Sequence, residues 1–165
     1  HLLFDNILSN LRNKKTRQHA EMPVKKLSAE FSRQYPLRIL VAEDNLVNQK
    51  WATKILTKMG YQPDIADNGH MVLDMVDRSS YDLILMDVQM PGMDGLEATR
   101  MIRLCLNKQP VIIAMTANVM HGDRMACIQV GMNDYISKPV QLSELVNMLE
   151  KWAVVITDKK LVELL

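Results

Sequence analysis

Cysteine is scarce in this chain: Cys105 and Cys127 are its only two, and neither sits in a CxxC or a histidine-rich cluster. That argues against a zinc site and reads as two reduced thiols in a cytosolic protein. Long apolar runs are missing as well. The longest, VIIAM at 111–115 and WAVVI at 152–156, fall far short of the roughly 20 residues that span a bilayer, so no contact with a membrane is expected of this stretch. There is no surplus of charge of either sign: a net +1 argues against a strongly basic nucleic-acid binder and against an acidic tail. No basic-then-apolar leader opens the chain, which starts at His1 rather than methionine and so reads as a fragment of a longer polypeptide.

What the chain does have is apolar patterning. Its 165 residues, 48% of them hydrophobic, suit one packed domain with some length to spare. From residue 38 onward, strand-like runs alternate with helical periodicity. RILVA (38–42) is followed by Val47, Trp51, Ile55 and Met59, one every fourth residue, stopping at the helix-ending Gly60. PDIA (63–66) precedes a helix face of Val72, Leu73 and Val76; DLILMD (82–87) precedes one of Leu96, Thr99 or Arg100, and Ile102. VIIAM leads to a helix over 119–129 that ends at Gly131, and DYIS (134–137) to a closing helix with Leu142, Leu145, Val146 and Leu149. Five β-then-α units in a row predict a parallel sheet covered on both faces, an α/β doubly wound fold.

Residues 1–36 stand outside this alternation. RNKKTRQ (12–18) reads as a solvated connector and RQYP (33–36) as the last of a linker before the first strand. LFDNIL (3–8) shares its apolar spacing with the final helix and reads either as the closing helix of a preceding domain or as a generic amphipathic helix. The expected division is a linker over 1–36, a domain over 37–152 and a tail over 153–165, the tail being a lead into another domain, a short helix or disordered.

The chemistry lies where each strand stops. The first ends at Glu43 and Asp44, the third at Asp87, the fourth at Thr116 and the fifth at Lys138 and Pro139. In a doubly wound sheet these ends share one edge, the edge at which ligands bind. Carboxylates gathered there repel one another and call for a cation. Two or three hard oxygen ligands with open positions suit Mg²⁺ retaining waters better than a closed Ca²⁺ cage. Lys138 and the Thr116 hydroxyl add a positive charge and a donor, which completes a site for a phosphoryl group. Asp87 is the candidate nucleophile, forming an acyl phosphate.

ILVAEDNLVNQ (39–49), DLILMDVQMPGMDGLEATR (82–100), VIIAMTAN (111–118) and GMNDYISKPV (131–140) closely resemble the receiver domains of two-component signalling, in the form carried by hybrid sensor histidine kinases. The likeness covers residues 37–152. It implies a flavodoxin-like five-stranded parallel sheet of order 2-1-3-4-5 with five helices. It further implies that Asp87 accepts a phosphoryl group from phosphohistidine on a histidine kinase or histidine phosphotransfer domain. Asp44, Asp87 and the Gln89 backbone carbonyl would hold Mg²⁺ while Glu43 orders metal-bound water, and Thr116 and Lys138 would bind phosphoryl oxygens. The Lys138–Pro139 peptide is expected to be cis. Thr116 and Tyr135 would form a switch that biases the surface of the fourth helix, fifth strand and fifth helix. Gln89 and Asn118 would flank the attacking water and set the lifetime of the phosphate. The resemblance places the stretch in the cytoplasm, its parent membrane-bound or not. It would not turn over a substrate, but would promote its own aspartyl phosphorylation and dephosphorylation.

Three rivals stay open at this stage. A haloacid-dehalogenase-type phosphatase needs a second acid two residues beyond its nucleophile, where this chain has Gln89. A flavin mononucleotide carrier needs a hydroxyl- and glycine-rich loop where this chain has the acidic EDNLVNQ. A pseudo-receiver would bind a partner without ever being phosphorylated. Trp51 stands where the family suggests a smaller aliphatic residue. Met90 and Met93 read as loop packing, the thirteen methionines as core filler, and His70 and His121 as surface residues.

Overall fold

A computed structural model describes residues 27–117 and 121–165. The stretches LFDNIL and RNKKTRQ lie outside the described residues, as do Asn118 and the side chain of His121. Five strands, β1 (Ile39–Ala42), β2 (Asp64–Ala66), β3 (Leu83–Asp87), β4 (Val111–Thr116) and β5 (Asp134–Ser137), pair in parallel in the order β2-β1-β3-β4-β5. Five helices follow them in turn: α1 (Leu46–Lys58), α2 (Gly69–Arg78), α3 (Gly95–Cys105), α4 (His121–Gln129) and α5 (Leu142–Glu163). The alternation read from the sequence is therefore the architecture.

Every residue of β1 and β3 is buried, which is why these segments are runs of apolar residues rather than alternations. Successive side chains still point to opposite sides. Ile39, Val41, Leu83, Leu85, Ile113 and Met115 join one core with α1 and α5, while Leu40, Ile84, Met86, Ile112 and Ala114 join the other, with α2, α3 and α4. No helix is long and apolar enough to cross a membrane among the described residues.

The helices depart from the sequence reading at three places. The inward face of α1 is Gln49, Ala52, Ile55 and Leu56, not a row beginning at Val47, which is 74% exposed. A strict fourth-residue row drifts about 40° per step around a helix of 3.6 residues per turn, so it cannot stay inward over three steps. The stretch expected as the end of a linker includes a short helix, Glu30–Gln34, whose Phe31 is buried in the α1/α5 core. The Ser32 N–H donates to the Met59 carbonyl at 3.1 Å, and the Tyr61 hydroxyl donates to the Tyr35 carbonyl at 2.6 Å. At the other end, α5 continues past the closing helix face read from the sequence to Glu163 and buries Ala153 and Ile156.

Candidate functional site

Parallel pairing carries the chemistry-bearing residues to one edge. Register sets Ala42 beside Met86, Asp87 beside Met115 and Thr116 beside Ser137, so the residues that end or follow these strands converge. Glu43, Asp44, Asp87, Gln89, Thr116 and Lys138 all line one cleft of about 260 Å³. The six sequence candidates within the described residues that were assigned to metal or phosphoryl are thus brought together.

Glu43 and Asp87 are buried, while Asp44 faces solvent, and oxygens of all three lie within 4.8 Å of one another. The Lys138 Nζ lies between the two buried carboxylates, donating to Glu43 Oε2 at 2.7 Å and to Asp87 Oδ2 at 2.8 Å. The remaining oxygens are also engaged: Glu43 Oε1 accepts the Asn45 N–H at 3.1 Å, and Asp87 Oδ1 accepts the Gln89 N–H at 3.2 Å. Burial and the neighbouring Glu43 charge push the Asp87 carboxyl up to about 6, against the pull of Lys138. Burial works on Glu43 in the same sense, but there the Lys138 ammonium and the Asn45 N–H prevail and hold it below the ordinary carboxylate range. Lys138 is raised, because its two carboxylate partners outweigh its own burial. One ammonium against three carboxylates leaves the cleft anionic, and the donors are hard oxygens with a solvent-facing member, a set that fits a divalent cation.

The backbone builds this edge closely. Asn45 caps α1, its side chain accepting the N–H groups of Val47 and Asn48 at 2.9 and 3.1 Å. The Gln49 side-chain amide donates to the Glu43 carbonyl at 2.6 Å and to Asp67 Oδ1 at 2.8 Å, fixing the peptide that follows β1. Sequence reasoning missed both residues. The Asn45 cap was legible as an asparagine directly before a helical segment; Gln49 gave no signal, because a buried, fully bonded amide looks like a surface residue in an apolar count. At Gly95 a Cβ would strike the Asp87 carbonyl oxygen, so α3 starts directly against the backbone of Asp87. The Lys138–Pro139 peptide is cis. Tyr135 is half-buried, with the Arg124 guanidinium 4.8 Å from its ring centre. Met90 is buried in the core and Met93 packs against it, as loop packing. His70 is exposed.

The family model for the response regulator receiver domain matches residues 39–150. This chain belongs to the receiver domain family. Histidine protein kinase 1 of Candida albicans is 46% identical over 134 residues, 74% of this chain and 5% of the kinase. Hybrid signal transduction histidine kinase K of Dictyostelium discoideum is 41% identical over 124 residues, 69% of this chain and 10% of that protein. The chain thus spans a small part of the curated relatives it matches.

Among solved structures, the receiver domain of a sensor histidine kinase from Pseudomonas aeruginosa, with a magnesium ion coordinated in its active site cleft, superimposes with a TM-score of 0.66 at 42% identity, covering 71% of this chain and 97% of that one. The receiver domain of Saccharomyces cerevisiae Ssk1, co-crystallised with the histidine phosphotransfer protein Ypd1, does so with 0.67 at 29% identity, covering 72% and 89%. The flavodoxin-like architecture and its strand order are those of a receiver, and the chain is a receiver domain of a two-component phosphorelay.

Proposed function

We propose that this receiver accepts a phosphoryl group on Asp87 from a phosphohistidine of a histidine kinase or histidine phosphotransfer domain, within a larger hybrid kinase. The observation that carries this reading is Lys138 Nζ bridging Asp87 and Glu43 at the mouth of an acidic cleft. A carboxylate raised to about 6 is still mostly ionised at pH 7 and available to attack. An Asp87 oxygen forms the new O–P bond as the P–N bond to the donor imidazole breaks, and the imidazole nitrogen takes a proton as it leaves. Lys138 gives up part of its hold on Asp87 to pair with phosphoryl oxygens, and the Thr116 hydroxyl donates to another.

Asp44 and Asp87, with the Gln89 carbonyl, would hold Mg²⁺, and Glu43 would order its water. When bound, the ion screens the repulsion between carboxylate and incoming phosphoryl. Thr116 and the half-buried Tyr135 would report the phosphorylated state to the α4-β5-α5 surface, while Gln89 and Asn118 would govern hydrolysis.

Intact mass after incubation with Mg²⁺ and acetyl phosphate tests this reading. One phosphoryl adduct is expected, absent in Asp87→Asn and absent with EDTA. A folded protein that binds Mg²⁺ yet never acquires the adduct would leave only phosphorylation-independent binding.

A further inference from the structure

Gln49 is 8% exposed on the inward face of α1, where the other buried residues are Ala52, Ile55 and Leu56. Burying an amide among such neighbours costs free energy unless its hydrogens are bonded. Both are: Nε2 donates to the Glu43 carbonyl at 2.6 Å and to Asp67 Oδ1 at 2.8 Å. The side chain thus joins the turn after β1 to the turn after β2, beside the bond from the Glu43 N–H to the Ala66 carbonyl at 3.0 Å. The brace continues from there. Gly69, two residues past Asp67, donates its N–H to the Met93 carbonyl at 3.2 Å, and a Cβ at Gly69 would strike that oxygen. Met93 belongs to the loop between β3 and α3 that also carries Gln89. The loops bearing Asp44 and Gln89 are therefore both tied to the start of α2.

The grip on Asp44 is the closest part of this brace. A peptide unit is planar, so holding the Glu43 carbonyl also holds the Asp44 nitrogen and sets the direction in which its Cα leaves. On the other side of Asp44, the Asn45 carbonyl accepts the backbone N–H of Gln49 at 2.9 Å. One residue thus holds the chain before Asp44 with its side chain and after it with its backbone.

We propose that Gln49 is a positioning residue for the divalent cation of the cleft, its amide setting where Asp44 presents its carboxylate. It acts through Asp44 and is not itself a ligand. The inference rests on the reading of the cleft as a Mg²⁺ site, and assigns to a buried amide the task of keeping that site in shape before the ion arrives.

Calorimetric titration with MgCl₂, beside urea titration without the ion, tests it. Gln49→Met keeps the length of the side chain and removes both donors; its Mg²⁺ dissociation constant should rise about tenfold or more, as when a group that orients a metal ligand is lost. Ile55→Val loosens the same face of α1 without removing a hydrogen bond, and should lower the urea midpoint while leaving the Mg²⁺ constant unchanged. Asp67→Asn and Asp67→Ala remove the same charge, but only the asparagine keeps an oxygen for the Gln49 amide. The alanine should weaken Mg²⁺ binding more than the asparagine, a difference that lost charge alone would not produce, and this pair decides the matter if Gln49→Met fails to fold. Gln49→Met binding Mg²⁺ as tightly as the wild type, Ile55→Val losing as much as Gln49→Met, or equal constants for the two Asp67 variants each overturns the proposal alone. A wild type that takes up no Mg²⁺ overturns the reading of the cleft, and this inference with it.

Discussion

Asp82 and Lys160 join the two ends of the receiver on the side away from the acidic cleft. Lys160 Nζ, from the extension of α5, reaches Asp82 Oδ1 at 2.8 Å, while Asp82 Oδ2 accepts the N–H of Arg38 at 2.7 Å, one residue before β1. The carboxylate thus holds the incoming and outgoing chain together. Lys160→Ala should cost under about 1 kcal/mol, as for a half-exposed ion pair. Asp82→Ala also strips the Arg38 N–H of its partner and should cost about 1–3 kcal/mol. Urea titrations of the two variants should rank them in that order; equal losses would show that the backbone contact contributes nothing.

Lys138 is the cation that the structure sets between two buried carboxylates. Lys138→Met leaves them facing one another. Without divalent cation the loss of stability should reach about 3–5 kcal/mol, as for a broken buried pair, and Mg²⁺ should return a large part of it. The yield of phosphoryl adduct at a fixed time should fall about 10²-fold, as when one charge-stabilising donor is removed. A variant that is equally stable with and without Mg²⁺ would count against the electrostatic account.

Mg²⁺ itself should stabilise the wild-type fold, by about 2.7 kcal/mol at a hundredfold excess over its dissociation constant. Asp44→Asn keeps the exposed side chain's shape and removes one charge of the three. Its melting temperature should respond to Mg²⁺ far less than that of the wild type. An unchanged response would place the ion elsewhere.

Asp134 supplies the pH test. Burial opposes its charge, but Lys151 Nζ at 2.7 Å, the Tyr135 N–H at 2.9 Å and the Trp152 indole N–H at 3.0 Å hold its carboxyl below the ordinary range. A depressed carboxyl contributes stability that is complete above its unfolded value, near 4, and is lost as pH falls through the folded value. Asp134→Asn should therefore be less stable than wild type at pH 7, with the gap narrowing as pH drops below about 4. Denaturant midpoints at pH 7 and pH 3 would show it; a gap independent of pH would contradict the assignment.

Gly95→Ala pushes a methyl group into the carbonyl of Asp87. Helix propensity favours alanine by about 1 kcal/mol, but the clash involves backbone and should win, leaving a net loss. The phosphoryl adduct should fall with it, because the residue that gives way carries the nucleophile. A stabilised variant with full labelling would mean that α3 yields instead.

How much of this was legible beforehand follows from what each residue does. The strands showed themselves because residues such as Leu83, Ile84 and Leu85 are buried on both sides and had to be apolar. The site showed itself because Glu43, Asp87, Thr116 and Lys138 interrupt or end such runs. The face of α1 was misread, since Gln49 lies inward on hydrogen bonds while Val47 lies outward, the reverse of an apolar count. The packed helix Glu30–Gln34 was invisible because one buried side chain, Phe31, carries its attachment and sets up no period. The length of α5 was hidden by the exposed apolar residues near its end, which resemble neither a surface nor a core.

The division of the sheet into two cores also bears on how such a domain diversifies. Along β3, Leu85 answers to one set of neighbours and Met86 to another. A change in size at one position is then absorbed by its own layer of helices and need not be met by the other. The residues at the rim answer to neither layer in full, so lineages of this fold have room to retune a partner-facing helix on one side while the carboxylates and lysine at the strand ends keep their places.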